Sequence, residues 1–185
     1  MGRVVVFMVA SADGFYEGPG RAFDWPVVDE EFGAFAVEQL AGFGGLLFGR
    51  ITYQGMAAYW PTPEAEREDP RTAALMNAVP KYVATLTLEH ADWGPGRILR
   101  STGEIAELRE QAGADLGVFG SNGLWVRLLE TGLVDEIRIM TMPVALGGGR
   151  SLFTGIHSRV HLELTDTRVF RSGNVLLTYR PRPAG

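Results

Sequence analysis

A glycine, an arginine and a threonine follow a short apolar run in the first third of the chain. In LLFGRITYQGM (46–56) these are Gly49, Arg50 and Thr52. Glycine lets a ligand approach the backbone, and a helix starting there offers unpaired N–H groups and the positive end of its dipole. A guanidinium and a hydroxyl add donors that match phosphate oxygens. The stretch predicts an anion site, and an ordinary turn with a surface arginine is the alternative.

A second loop of small residues also stands between an apolar run and a helical pattern. Gly120, Ser121, Asn122 and Gly123 follow the run DLGVF (115–119). Backbone amides in such a loop can face a pyrophosphate although the loop has no charge. Two separate anion sites suit a dinucleotide better than a mononucleotide.

Small or polar residues end two further predicted strands. The run at 3–10 leads into SADG (11–14), and the run at 81–86 ends in TLT (85–87). Ligands of open α/β sheets bind beyond the carboxyl ends of parallel strands. Each stretch alone fits turn chemistry, but four of them at one edge favour a binding site.

The alternation of apolar runs and helical patterns predicts one α/β domain over residues 1–185. We expect a mainly parallel central sheet, helices on both faces and an antiparallel C-terminal hairpin. The polar, proline-bounded segment 59–70 predicts a loop. The predicted strands are 3–10, 44–48, 81–86, 96–100, 115–119, 134–142, 159–171 and 173–180, and the predicted helices are 28–42, 50–58, 71–78, 102–113 and 122–131.

Composition and charge argue against several classes of function. The net charge is −5 and there is no cysteine, so a general nucleic-acid surface, disulfides and thiolate chemistry are not expected. The three histidines show no metal-ligand spacing, so no metal site is predicted. Without a membrane span or a signal peptide, a cytoplasmic protein with no membrane partner is expected. Lys81 is the only lysine, so Schiff-base chemistry would depend on it alone.

The motifs resemble the dihydrofolate reductase-like superfamily, and most closely the reductase domain of the bifunctional riboflavin-biosynthesis protein (RibD C-terminal domain). The resemblance spans nearly the whole chain, including SADGF (11–15), residues 46–56, YWP (59–61), residues 121–153 and GNV (173–175). It implies the three-layer fold of that superfamily. It also implies an NADPH-dependent reductase acting on a small heterocyclic (pyrimidine- or pterin-like), carbonyl or imine substrate, as in 5-amino-6-(5-phosphoribosylamino)uracil reductase.

The resemblance further implies how NADPH is bound. Arg50 would face the 2′-phosphate and Thr52 the pyrophosphate, while the 120–123 loop would take the pyrophosphate and the nicotinamide ribose. Thr85 and Thr87, at the end of the strand predicted at 81–86, would flank the adenosine. The end of the first strand would lie beside the nicotinamide. The implied cofactor-binding residues are Val9, Ala10, Gly49, Arg50, Thr52, Thr85, Thr87, Gly120, Ser121, Asn122 and Gly123.

The substrate side rests on fewer residues. Asp13 is the only acid directly after the first strand, which makes it the candidate proton donor and a substrate contact; water is the alternative donor and an Asp-Gly turn the alternative role. Asp24 and Trp25 lie on the Gly- and Pro-rich loop 17–26, where a flat aromatic would stack on a heterocycle. Tyr53 is a candidate for the pocket wall, with a core position as the alternative.

Other readings of the same residues stay open at this point. An NADPH sensor or storage module without turnover would need the same cofactor site. A true folate reductase is less favoured, because Asp29, Glu30 and Glu31 suit capping of the first helix rather than its apolar face. Exposed strands of the C-terminal hairpin predict a homodimer.

Overall fold

The computed structural model describes residues 1–182. None of the helices in this range is long and apolar enough to cross a membrane. In chain order the strands are β1 (Val4–Ser11), β2 (Phe15–Glu17), β3 (Phe43–Gly49), β4 (Lys81–Ala84), β5 (Gly96–Leu99), β6 (Asp115–Phe119), β7 (Glu136–Met142), β8 (Arg150–Ser151), β9 (His161–Val169) and β10 (Val175–Arg182). The α-helices are α1 (Glu30–Ala41), α2 (Arg50–Tyr59), α3 (Pro63–Glu68), α4 (Pro70–Ala78), α5 (Thr102–Gln111) and α6 (Asn122–Glu130).

Eight of these strands form one sheet in the order β5-β4-β3-β6-β1-β7-β10-β9. Every neighbouring pair from β5 to β7 is parallel, and β10 is antiparallel to both of its neighbours. The mainly parallel sheet with a C-terminal antiparallel hairpin is therefore confirmed. The four strands whose ends carry small or polar residues, β4, β3, β6 and β1, are consecutive in this order, so their carboxyl ends meet at one edge.

The first strand is apolar from Val4 to Ala10 because both of its faces are covered. Val6 and Met8 pack with α5 and α6 residues in one cluster, which includes the fully buried Trp125. Phe7 points to the opposite face, where it packs with Phe35 of α1. Parallel strands between two helical layers are expected to be apolar on both faces rather than alternating.

The prediction of a loop over 59–70 is wrong in part, because this segment contains the helix α3. The Thr62 hydroxyl accepts a hydrogen bond from the Ala65 N–H at 3.2 Å, and Pro63 occupies the first helical turn. This is ordinary N-terminal helix chemistry. The helix has no apolar stripe, since Ala65 is its only buried residue, and so it has no periodic signal.

The antiparallel pair β2 and β8 was also not predicted. Phe15 pairs with Ser151 and Glu17 with Arg150. Strands of two and three residues are too short to show an alternating pattern. The pair ties the chain after β1 to the segment after β7, next to the edge that carries the candidate site.

Candidate functional site

The sheet opens beside β1 at its carboxyl edge. The pairing of β1 with β6 ends at Phe7, whereas its pairing with β7 continues to Ser11. On the side of β6, the partly exposed Val9 therefore faces an opening instead of a neighbouring strand, whereas Ala10 is 2 % exposed and packs in the core. This is the position expected for a ligand at a switch in strand order.

The two loops predicted to bind phosphate are joined to each other by hydrogen bonds. The Gly49 N–H donates to Ser121 Oγ at 2.9 Å, and the Ser121 N–H donates to Thr52 Oγ1 at 3.2 Å. Ser121 has a φ of 53° and Gly120 a φ of 58°, the left-handed region. A Cβ on Gly120 would also lie 3.4 Å from the Thr52 methyl group. The ends of β3 and β6 thus form a single unit.

These hydrogen bonds determine which donors are left for a ligand. The N–H groups of Gly49 and Ser121 are used inside the protein, whereas the Ser121 hydroxyl, which accepts from Gly49, keeps its own hydrogen for donation. The Thr52 hydroxyl accepts from Ser121 and keeps its own hydrogen for donation. Neither α2 nor α6 has a side-chain cap. Their positive dipole ends and first-turn N–H groups therefore face the edge of the sheet, except for the Leu124 N–H, which donates to the Ser121 carbonyl at 2.8 Å.

Arg50 is the first residue of α2 and is exposed. Its guanidinium donates to Gln54 Oε1 at 3.2 Å. Within residues 1–182 no carboxylate forms an ion pair with it. A permanent positive charge at an uncapped helix start is therefore available to an anion.

A second arginine lies near this edge and was not selected from the sequence. Arg100 follows β5, and its Nη1 donates to the Thr85 carbonyl at 2.9 Å. Thr85 Oγ1 accepts from the N–H groups of Thr87 and Leu88 at 3.2 and 3.1 Å, so its side chain shapes the turn after β4. Arg100 is the last residue of the predicted strand 96–100, so the sequence pattern already placed this arginine at a strand end.

Asn122 joins α6 to the segment after β8. Its side chain is 8 % exposed, and its Nδ2 donates to the Thr154 carbonyl at 3.1 Å. Its Oδ1 is buried without a hydrogen-bond partner among the described residues. The amide side chain therefore supports the loop, while the exposed Gly123 leaves the backbone of the first turn accessible.

The Asp13 carboxylate is held by three donors. Ser11 Oγ donates at 2.6 Å, and the N–H groups of Leu146 and Gly147 donate at 3.1 and 2.7 Å. The hydrogen bond from Ser11, followed by those from the two amides, lowers the pKa of Asp13 to about 2. At neutral pH this carboxyl is ionised and has no proton to donate. The carboxylate is therefore an acceptor that ties the turn after β1 to the segment after β7.

We expect Asp13→Ala to loosen the loop after β7, so that the Leu146 and Gly147 amides exchange with deuterium about tenfold faster or more, because charge-assisted hydrogen bonds are lost. Asp24→Ala, at an exposed acid on the neighbouring loop, is the control that leaves this exchange unchanged. The pKa of Asp13 in the fold lies below its ordinary 3.8. Its stabilising effect is therefore complete above that value and is lost as the pH falls through about 2.

Tyr53 lies in the core and not on a pocket wall. It is 4 % exposed, and its hydroxyl accepts from the Trp93 N–H at 2.9 Å. Its ring centroid is 6.4 Å from that of Phe48. The core alternative therefore describes its position, because Tyr53 falls on the inward face of α2.

Trp25 is half-buried on the loop before α1, and Asp24 beside it is exposed. The indole N–H donates to the Ala22 carbonyl at 3.1 Å, and the ring meets Phe23 edge to face with centroids 5.6 Å apart. Trp25 also packs against the cluster around Phe7. The loop therefore holds an aromatic ring next to the face of the sheet that α1 covers.

The acids at the start of α1 are used within the protein. Asp29 accepts from the Phe32 N–H at 2.8 Å, which caps the helix. Glu31 accepts from the Arg171 N–H at 3.0 Å, and Glu30 is exposed. These contacts agree with helix capping and with docking of the turn between β9 and β10.

The sheet order and the covering helices are those of a dihydrofolate reductase-like α/β fold. The RibD C-terminal domain family matches residues 3–176. The chain therefore belongs to the RibD C-terminal domain family.

Several known proteins are similar to this chain. The uncharacterized protein YyaP of Bacillus subtilis (strain 168) is 29% identical over 181 residues, which cover 96% of this chain and 94% of YyaP. A deaminase/5-amino-6-(5-phosphoribosylamino)uracil reductase from Thermotoga maritima superposes with a TM-score of 0.70 at 14% identity, covering 98% of this chain and 57% of that one. Dihydrofolate reductase from Enterococcus faecalis, complexed with NADP(H) and RAB-propyl, superposes with a TM-score of 0.63 at 16% identity, covering 97% of this chain and 96% of that one. At such identities the two structures show a shared fold.

Proposed function

We propose that this chain is an NADPH-dependent reductase that transfers hydride to a small heterocyclic (pyrimidine- or pterin-like), carbonyl or imine substrate. The observation that carries the proposal is the exposed Arg50, which has no carboxylate partner among the described residues and stands at an uncapped helix start. This helix start is tied through Ser121 to a second one beside the opening along β1. Family membership and the NADP(H) complex of a protein with the same fold support it.

The donors at this edge fit a dinucleotide phosphate. Arg50 would bind the 2′-phosphate, with Arg100 as a second cation, because NADPH differs from NADH by this dianionic group. The first-turn N–H groups of α2 and α6, together with the Thr52 hydroxyl, would bind the pyrophosphate. Val9 would form the wall beside the nicotinamide, with the buried Ala10 next to it in the strand.

When bound, NADPH supplies the hydride, which adds to a carbon of the substrate's double bond and leaves NADP⁺. The chain's own part is to hold the two reactants in contact and to exclude bulk water. The heteroatom of the double bond takes its proton from water, because Asp13 is ionised at neutral pH.

Titration of the protein with NADPH and NADH, followed by nucleotide fluorescence, tests the proposal. We expect NADPH to bind, and to bind more tightly than NADH. A protein that binds neither nucleotide would contradict the proposed function. If NADPH binds but no pyrimidine, pterin or dicarbonyl compound causes its oxidation, the sensor or storage alternative is the better description.

We also propose that the chain forms a homodimer through β9. This strand lies at the end of the sheet, and Leu164 and Val169 on it are 53% and 70% exposed. An exposed edge strand offers its backbone to a second chain. Light scattering at micromolar concentration should give twice the monomer mass, and Leu164→Arg should shift the protein toward monomer. A monomeric mass for the unmodified protein would refute the dimer.

A further inference from the structure

We infer that the substrate is a planar, uncharged ring compound and not a phosphorylated one. This inference rests on the proposed function, because it concerns the surface next to the nicotinamide position. It is carried by the carbon-rich side chains around Val9 and by the pairing of the charged groups near them.

Four partly buried side chains gather with Val9 on the α1 face of the sheet. They come from four separate elements: Trp25 from the loop before α1, Phe32 from α1, Phe119 from the end of β6 and Val144 from the segment after β7. They pack against a buried cluster that includes Phe7, whose ring centroid is 5.7 Å from that of Phe119 and 6.5 Å from that of Phe32. Since these side chains are only partly buried, they leave apolar surface at the edge where β1 faces the opening.

The loop before α1 extends this surface outward. Phe23 is 56% exposed and meets the ring of Trp25 edge to face. The hydrogen bond from the Trp25 indole to the Ala22 carbonyl, at 3.1 Å, fixes the orientation of that ring. Fixed aromatic faces bind flat rings by stacking and by burial of apolar area.

Two charged groups on the α1 side of this surface already have partners. Glu31 accepts from the Arg171 N–H and lies 3.7 Å from Arg168 Nη2. The Arg168 guanidinium stacks 4.6 Å from the ring centroid of Phe170. A phosphate placed on the α1 side of this surface would lose its water without gaining a contact with either of these paired charges, which is unfavourable in apolar surroundings. An uncharged ring has no such penalty.

Arg21, by contrast, favours an anionic substrate. It is exposed on the same loop as Trp25 and has a φ of 66°. If the substrate carried a phosphate, Arg21 would be the cation to hold it, so this residue separates the two classes of substrate.

The test measures binding to the complex with NADP⁺, in which no hydride is available. Equilibrium dialysis compares 2-methyl-1,4-naphthoquinone with the same ring bearing a sulfonate. We expect the uncharged ring to bind about tenfold or more tightly than the sulfonate. Phe32→Ala should weaken binding of the uncharged ring about tenfold, because an aromatic contact is lost, while the affinity for NADPH stays unchanged.

Two control variants make the result specific. Tyr59→Ala removes an aromatic residue that is 38% exposed at the far end of α2. It should change neither the affinity for the uncharged ring nor the affinity for NADPH. Arg21→Ala should leave binding of the uncharged ring unchanged.

The outcomes separate this inference from the proposed function. Tighter binding of the sulfonate, lost in Arg21→Ala, would overturn the inference and leave the cofactor site intact. Failure of both rings to bind while NADPH binds would overturn it as well. Failure of NADPH to bind would overturn the proposed function, and the inference with it.

Discussion

Replacing Arg50 by alanine should weaken the binding of NADPH about 10- to 100-fold and leave the binding of NADH nearly unchanged. A hydrogen bond to a charged group contributes about 1.5–3 kcal/mol, and about 1.4 kcal/mol corresponds to a tenfold change in affinity. The exposed guanidinium has no competing ion pair within residues 1–182. Its removal should therefore lower the affinity for NADPH by the full contribution of its contact with the 2′-phosphate. Fluorescence titration with each nucleotide measures the effect.

Arg180→Ala is the matched control for this prediction. Arg180 is also exposed, but it lies near the end of β10, which is antiparallel to β7 and therefore ends at the opposite edge of the sheet. This variant should bind both nucleotides like the unmodified protein. If Arg50→Ala lost NADPH and NADH equally, Arg50 would serve the pyrophosphate or the fold, and the 2′-phosphate assignment would be incorrect.

The parts of the fold that position the site were predictable from local pattern. The apolar runs of β1, β3 and β6 are buried on both faces or end in glycine, and each is followed by a helix or a tight turn. Such strands are easy to predict, because burial in the folded protein requires the same apolar residues that form the sequence pattern. α3, with one buried residue, leaves no such signal.

The hydrogen bonds inside the site were not predictable in the same way. The sequence placed Gly49, Thr52 and Ser121 at one edge, but it could not show that they bind each other. The role of Asp13 depends on Leu146 and Gly147, which are more than 130 positions away along the chain. Position at an edge follows from topology, whereas the partner of each donor depends on how distant loops dock.

Lys81 carries the largest predicted effect on stability. It is fully buried at the start of β4, at the edge of the sheet opposite the candidate site. Its ammonium donates to the Asn77 carbonyl at 2.8 Å and lies 4.4 Å from the centroid of Trp93. Within residues 1–182 it forms no ion pair with a carboxylate. Burial lowers its pKa from 10.5 to about 8.

The sign of the pH dependence follows from this lowered pKa. Between pH 8 and 10.5 the unfolded chain holds a proton on Lys81 that the folded chain has released. The contribution of Lys81 to the free energy of unfolding therefore rises with pH across this window. The difference between the two pKa values corresponds to about 3 kcal/mol.

Lys81→Met keeps the apolar stem and removes the titrating group, so it should lose this dependence. Below pH 8 the variant should have a higher free energy of unfolding than the unmodified protein, because an unpaired buried charge is replaced by an apolar end. The difference between their free energies of unfolding should then shift by about 3 kcal/mol, in favour of the unmodified protein, as the pH is raised to 10.5.

Urea unfolding followed by tryptophan fluorescence measures both proteins at each pH. Tyr16 and Tyr59, whose pKa values are raised, titrate in both and cancel in the difference. A difference that stays constant across this range would show that Lys81 is as well solvated in the folded chain as in the unfolded one.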